Sequence, residues 1–180
     1  IRPAFNPMIF LHNGELYILA LSTDYTDLII GKSVDEGKTW TSPVTILRGE
    51  NINRFGWHRG AMPFIEHNGT LYTSVEYGFV NELIRPSEAE LKNAYDSDAD
   101  PKSRADATLW RAGDKIIRLS HYAGVLSIRK DADMLNPENW CVTPLYFPGE
   151  YDPRQCIEGN LLILPDGKLY DFLRTIRSGK

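Results

Sequence analysis

Residues 33–40 read SVDEGKTW, directly after the apolar run DLIIGKS at 27–33. An acid, a glycine and a tryptophan stand there at fixed spacing. A carboxylate at Asp35 accepts hydrogen bonds from backbone amides across a turn. Gly37 takes a backbone conformation that other residues resist. Trp40 has a large ring to bury and an indole N–H that needs an acceptor. The stretch is expected to fasten the turn that follows a strand.

Outward from it, four segments share one plan: FLHNGELYIL (10–19), FIEHNGTLYTSV (64–75), LWRAGDKIIRL (109–119) and LILPDGKLYDFL (162–173). Each is an apolar run, a short turn and a second apolar-rich run. Asn-Gly and Asp-Gly suit a two-residue type I′ turn, which needs positive φ at both positions, so these are hairpins. Their turn glycines are Gly14, Gly69, Gly113 and Gly167. Further strands are read at 27–33, 123–130 and 142–147. About four strands per repeat of roughly 50 residues is the pattern of radial blades, and the predicted fold is an all-β partial β-propeller. Residues 86–97, PSEAELKNAYDS, break the pattern with partial helical spacing and predict a short helix within an insertion at 78–120. The domain is read as one partial propeller: a blade over 1–50, a blade with the insertion over 57–148, and the opening hairpin of a third over 156–177.

Composition narrows the function classes. Hydrophobic residues at 42% and charged residues at 24% are ordinary for a globular domain with a core. A net charge of −4 without any Lys/Arg run argues against nucleic-acid binding. No apolar stretch approaches the roughly 18 residues of a membrane helix. Four histidines show no ligand spacing, so no metal and no cofactor is expected. His12 and His67 each precede an Asn-Gly turn and read as hairpin surface residues. Cys141 and Cys156 read as separate thiols, with a disulfide between them as the alternative. The chain opens at Ile1 and stops soon after a strand-like run, which is expected of a piece of a longer protein.

SVDEGKTW resembles the Asp-box, S-x-D-x-G-x-T-W, of BNR-repeat sialidase-like β-propellers, at all five defined positions. A lengthened copy without Gly-x-Thr stands at SIRKDADMLNPENW (127–140). Segments HRGAMPFIEHNGTLY (58–72), VLSIRKDADML (125–135) and CIEGNLLILPDGKLYDFLR (156–174) resemble a bacterial exo-sialidase-like subgroup. The resemblance covers the chain apart from 78–120. It implies that Asp-boxes lie on the outer rim, so Ser33, Asp35, Gly37 and Trp40 are structural. It also implies that Glu158 helps activate a tyrosine nucleophile and that Arg174 belongs to an arginine set gripping the substrate carboxylate. That chemistry is sound, because a guanidinium matches a carboxylate bidentately and a nearby carboxylate draws the proton from a phenol. The chain departs from the family at its first-blade Arg-Ile-Pro, where it has Phe5-Asn6-Pro7, with Arg2 out of register. It also lacks the late blades that carry the third arginine and the nucleophile.

The candidate catalytic residues are Glu158, Glu76, Tyr77, His121 and Asp24; the candidate substrate-binding residues are His58, Arg59, Asn160 and Arg174. His58 and Arg59 precede an apolar strand that the resemblance places innermost. Glu76 and Tyr77 pair a carboxylate with a phenol where the strand LYTSVEYG is read to end. His121 and Tyr122 offer an imidazole and a phenol. Asp24, with Asp27 as its rival, lies nine residues before the box serine, where the family carries an acid/base aspartate. Each has a bland counterpart: a loop pair, a packed tyrosine, a core histidine, a structural Glu–Arg pair. Arg85 and Arg104 read as surface charges of the insertion. The expected function is an exo-acting glycoside hydrolase on an acidic or decorated glycan. The alternatives are a polysaccharide lyase on a uronate-containing glycan and a non-catalytic glycan-binding propeller. The expected partner is a glycan, and the resemblance implies a secreted or periplasmic protein.

Overall fold

The computed structural model describes residues 4–23, 26–49, 56–83, 88, 91, 94–96, 106–112, 115–146 and 156–175. The first sheet is antiparallel, in the order β1 (Phe5–His12), β2 (Glu15–Leu21), β3 (Leu28–Ser33), β4 (Val44–Leu47). The second has seven strands: β5 (Gly56–His58), β6 (Ile65–His67), β7 (Thr70–Leu83), β8 (Ala94–Asp96), β9 (Asp106–Ala112), β10 (Lys115–Arg129) and β11 (Trp140–Val142). Its order is β5-β7-β10-β9-β8, with β6 also on β7 and β11 also on β10. The hairpin β12 (Cys156–Ile163) and β13 (Leu169–Thr175) forms a third sheet. The fold is all-β, a partial β-propeller, as the repeat predicts.

The turns follow their residues. Asn13 and Gly14 have φ of 50° and 79°, and Asn68 and Gly69 of 50° and 73°, so both Asn-Gly pairs make the expected type I′ turn. In each, the asparagine Nδ2 lies about 3 Å from the preceding histidine Nε2, 3.1 Å at His12 and 3.0 Å at His67. His12 is buried rather than exposed, its ring edge-on to Tyr17. The Asp166-Gly167 turn differs: only Gly167 has positive φ, 81°. Leu164 N donates to Lys168 O and Gly167 N to Leu164 O. Pro165 fixes the first turn position near −65°, so the loop has three residues with the glycine as its left-handed bulge. Gly113 lies outside the described residues.

Two expectations are corrected. Gly78 does not end a strand: β7 runs on to Leu83 and pairs with β10 from Thr70↔Arg129 to Leu83↔Ile116. Glu88 and Leu91 are helical, but Ala94–Asp96, placed in the same helix from sequence, is a strand parallel to β9. Arg85 and Arg104 lie outside the described residues. Cys141 is an exposed free thiol, so the alternative disulfide is not formed.

Alternation along β7 builds two faces. Leu71, Thr73, Val75 and Tyr77 face the first sheet. Leu71 and Val75, with Tyr77 packed against them, join Leu19, Leu21, Leu28, Ile30, Leu126 and Ile128 in the apolar core, closed by Met8, Trp57, Met134 and Trp140. Each fully buried Leu or Ile side chain contributes about 1.5–3 kcal/mol. Ser74, Glu76 and Gly78 face the other way, toward β12 and β13.

The SVDEGKTW stretch forms the expected turn at the end of β3. Asp35 accepts from Thr39 N at 2.8 Å, Thr39 Oγ1 at 2.6 Å and Ser33 Oγ at 2.8 Å. These donors hold its carboxyl below the usual aspartate range. Trp40 Nε1 donates to Gly37 O at 3.1 Å. In the lengthened copy Trp140 Nε1 donates to Met134 O at 2.9 Å, so the indole still closes its own loop.

Candidate active site

The second face of β7 carries polar side chains where a sheet interface is normally apolar. Register explains their meeting: His58 stands opposite Glu76 on β5, and His121 opposite Gly78 on β10. Directly paired residues share a face, so Ser74, Glu76, His58 and His121 converge. Glu76 is fully buried. Its Oε2 is 3.2 Å from His58 Nδ1, and its Oε1 accepts from Gly159 N at 3.0 Å and from Ser74 Oγ at 3.5 Å. The His58 and His121 rings meet edge to face at 5.9 Å. Burial, aided by the positive field of His58, pushes the His121 pKa down to about 3. His121 is therefore a neutral imidazole at ordinary pH.

The hairpin closes over this cluster. Ser74 Oγ donates to Asp171 Oδ2 at 2.6 Å. Burial raises the Asp171 carboxyl above the usual range; the Glu76 charge adds to the rise and the Ser74 bond opposes it. On β12, Ile157 pairs with Arg174 and Asn160 with Phe172, so Glu158 and Gly159 together oppose Leu173. This is a β-bulge, and Glu158 occupies its left-handed position with φ 55°. A Cβ on Gly159 would fall on Ser74 Oγ and Asp171 Oδ1, closer than real Cβ atoms approach anything. Only glycine fits there. The bulge turns the Glu158 carboxylate to the rim, where Oε2 is 3.1 Å from Arg174 Nε, both side chains partly exposed.

Among the sequence-predicted residues, Glu76, His58 and His121 come together, with Glu158 and Arg174 at the rim beside them. Asn160 is exposed beyond the bulge. Tyr77 stands on the opposite face of β7, edge-on to Trp57 at 5.2 Å. Tyr122 stacks on Phe79 at 4.7 Å. Arg59 gives no surface to solvent. Its Nη2 donates to Met62 O at 2.7 Å and Thr73 Oγ1 at 3.2 Å and touches Met8 Sδ at 3.8 Å. Burial lowers its pKa to about 10, still a cation, with the Glu76 charge opposing the fall. Asp24 lies outside the described residues, and Asp27 Oδ1 accepts from Gly49 N at 2.9 Å as a loop fastening. Sequence reasoning missed Ser74 and Asp171. The Ser-x-Glu spacing on one strand was a signal for the first, since it puts Ser74 on the face of Glu76. Among the described residues no three His, Cys, Asp or Glu side chains gather as metal ligands.

No protein-family model matches the chain, and no curated protein does. Among solved structures, the α-L-arabinofuranosidase from Lactobacillus brevis aligns with a TM-score of 0.52 and 14% identity, over 99% of this chain and 47% of its own. A PL25 ulvan lyase aligns with a TM-score of 0.45 and 14% identity, over 91% and 35%. A mutant of the GH43 protein BlXynB from Bacillus licheniformis gives 0.39 and 16%, over 95% and 27%. The sialidase-like refinement of the fold thus stands on the sequence motifs alone. The arabinofuranosidase likeness is one of fold, and the chain, a partial β-propeller, spans about half that protein's length.

Proposed function

We propose that the chain belongs to a carbohydrate-active enzyme, an exo-acting glycoside hydrolase of the sialidase-like kind that takes an acidic or decorated glycan. The observation that carries this reading is the Glu158–Arg174 pair, at 3.1 Å and partly exposed, held at the rim by a left-handed bulge. A non-glycine residue in that conformation costs about 1–2 kcal/mol, and such strain gathers at functional sites. The pair has the chemistry for an acidic sugar. The Arg174 guanidinium receives the substrate carboxylate, and Glu158, released from it, takes the proton of the attacking hydroxyl, water or the tyrosine that the resemblance implies, while the leaving sugar oxygen takes up a proton from solvent or a general acid. The hydrolase is put before the lyase because one of the three groups a lyase could use, beside His58 and Tyr122, is His121, whose imidazole is pushed by burial down to a pKa of about 3. So weak a base is ill suited to removing a proton from carbon. The resemblance also implies that the protein works outside the cytoplasm, secreted or periplasmic. The test is incubation with sialosides and with uronate-containing oligosaccharides. Release of a saturated reducing sugar, lost in Glu158→Gln and Arg174→Met, is expected. An unsaturated, ultraviolet-absorbing product would replace the hydrolase by the lyase. Binding without turnover would leave a glycan-binding propeller.

A further inference from the structure

Ser74 and Asp171 lie against Gly159, directly beside Glu158 in the bulge. The described polar contacts of the hairpin with the second sheet include Ser74 Oγ with Asp171 Oδ2 and Gly159 N with Glu76 Oε1. Both fall on the bulge or directly beneath it. Ser74 has a single hydroxyl hydrogen and stands between two carboxylates, at 2.6 Å from Asp171 and 3.5 Å from Glu76. Asp171 Oδ1 is buried and has no hydrogen-bond partner among the described residues. Two ionised carboxylates on one hydroxyl, one with an orphaned buried oxygen, repel each other and lack donors. A proton on Asp171 Oδ2 removes the repulsion and leaves Oδ1 an uncharged carbonyl oxygen, which costs less to bury without a donor than an ionised one does. Asp171 then donates to Ser74 Oγ, and the serine hydrogen turns to Glu76 Oε1, so every proton in the chain has an acceptor.

We propose that Asp171 and Ser74 are positioning residues of the site: with Asp171 protonated, a one-way chain from Asp171 Oδ2 through Ser74 Oγ to Glu76 Oε1 locks the Glu158–Gly159 bulge and so fixes the Glu158 carboxylate against Arg174. The inference rests on the proposed function for its catalytic meaning and on the geometry for its structural one. The charged and titratable groups on the elements packed here are Glu76 on β7, His58 on β5, His121 on β10, Glu158 on β12 and Arg174 on β13, with Arg59 behind β7; of these Glu76 acts on Asp171 by its charge. Burial and the Glu76 charge both raise the Asp171 pKa, in keeping with the added proton.

The test follows the Glu158 side-chain carboxyl by 13C NMR across pH, in the wild type and in Asp171→Asn, Asp171→Ala and Ser74→Ala. In the wild type the Glu158 signal is expected to shift as Asp171 titrates. Asp171→Asn should remove that step, because the amide donates to Ser74 at every pH as the protonated acid does. Asp171→Ala and Ser74→Ala should give the Glu158 signal of a loosened carboxylate. On a turned-over glycan they should lower kcat about 10–100-fold with little change in KM, the effect of a misplaced catalytic group. Loss of the whole fold in an alanine variant leaves the comparison of wild type with Asp171→Asn to decide. A Glu158 signal that follows the same pH course in wild type and Asp171→Asn would overturn the proposal. Turnover with that result spares the proposed function; the expected Glu158 response without turnover on any glycan spares the positioning and removes the function.

Discussion

Glu158 and Arg174 meet at 3.1 Å because Glu158 leaves the strand in a left-handed conformation. In an unbroken β12 every side chain would alternate in register with β13. The extra residue instead aims one carboxylate at the rim and sets one glycine against the sheet below. The rim pair and the buried His58–Glu76–His121 cluster are thus joined through a single peptide, whose N–H at Gly159 donates to Glu76. Buried polar networks of this kind are stable only when their members are satisfied, and losing one member costs more than its own bond.

Gly159→Ala tests that junction. The new methyl group would occupy the place of Ser74 Oγ and Asp171 Oδ1. Overpacking of this order costs about 1–3 kcal/mol, and here it falls on the hairpin contact. Amide exchange is expected to speed up in β12 and β13 and to stay unchanged in β2 and β3. Equal loss of protection in the first sheet would show that the hairpin does not undock as a unit.

Stability is expected to depend on pH through His121 and Asp171, which act in opposite senses. His121 has a folded pKa of about 3, against the 6.5 of an unburied histidine. The unfolded chain therefore binds the extra proton as pH drops below about 6.5, and stability declines by up to about 1.4 kcal/mol per pH unit. Asp171 has a raised folded pKa, so its contribution is complete below the usual aspartate value and is lost as pH rises through the raised one. Urea unfolding over a pH series checks both: His121→Gln should remove the loss on acidification, and Asp171→Asn the opposing loss as pH rises from the usual aspartate value. An unaltered pH dependence in these variants would assign it to other groups.

The elements were legible where local chemistry decides them. Asn13-Gly14 and Asn68-Gly69 announced their turns, and the Asp-box announced its own, because each conformation is set by residues adjacent in sequence. Glycine was misleading as an end signal at Gly78, which instead lies within β7, paired with Gly56 on β5 and His121 on β10. The cluster was legible in part. His58, Glu76 and His121 were singled out one by one, but their meeting depends on the register of three strands. The Ser74–Asp171 bond joins residues 97 apart and has no local signature. Asp171 lies beside the Arg174 that the motif marks, yet its importance comes from what packs beneath it.

Arg59 offers a contrast between charge and volume. It is fully buried, and Nε and Nη1 have no hydrogen-bond partner among the described residues. Arg59→Met keeps most of the volume and removes a charge that desolvation disfavours. It leaves Met62 O with Thr73 Oγ1 at 3.4 Å as a substitute donor. A change within about 1 kcal/mol, of either sign, is expected, whereas Arg59→Ala should cost about 2–4 kcal/mol through the cavity it leaves. Urea midpoints of the two variants check this. A Met variant as unstable as the Ala variant would mean that the cation has a compensating charge and that its ionic interaction, not its bulk, holds β1 to the second sheet.

Gly37 gives the corresponding test for the turn box at 33–40. Its φ of 85° is unfavourable for any side chain, and a methyl group would meet only Leu16 Cδ1 at 3.7 Å and Trp40 Cζ2 at 3.8 Å, ordinary contacts. Gly37→Ala is therefore a test of backbone strain without steric clash, and it should cost about 1 kcal/mol. The strain falls on the turn that aims Gly37 O at the Trp40 indole, so the tryptophan should report it. A red-shifted Trp emission together with the lower urea midpoint is expected, and Glu158 NMR signals should stay in place, since the box lies in the first sheet and Glu158 in the third. If Glu158 responds as strongly as the turn, the box is coupled to the site and its purely structural assignment fails.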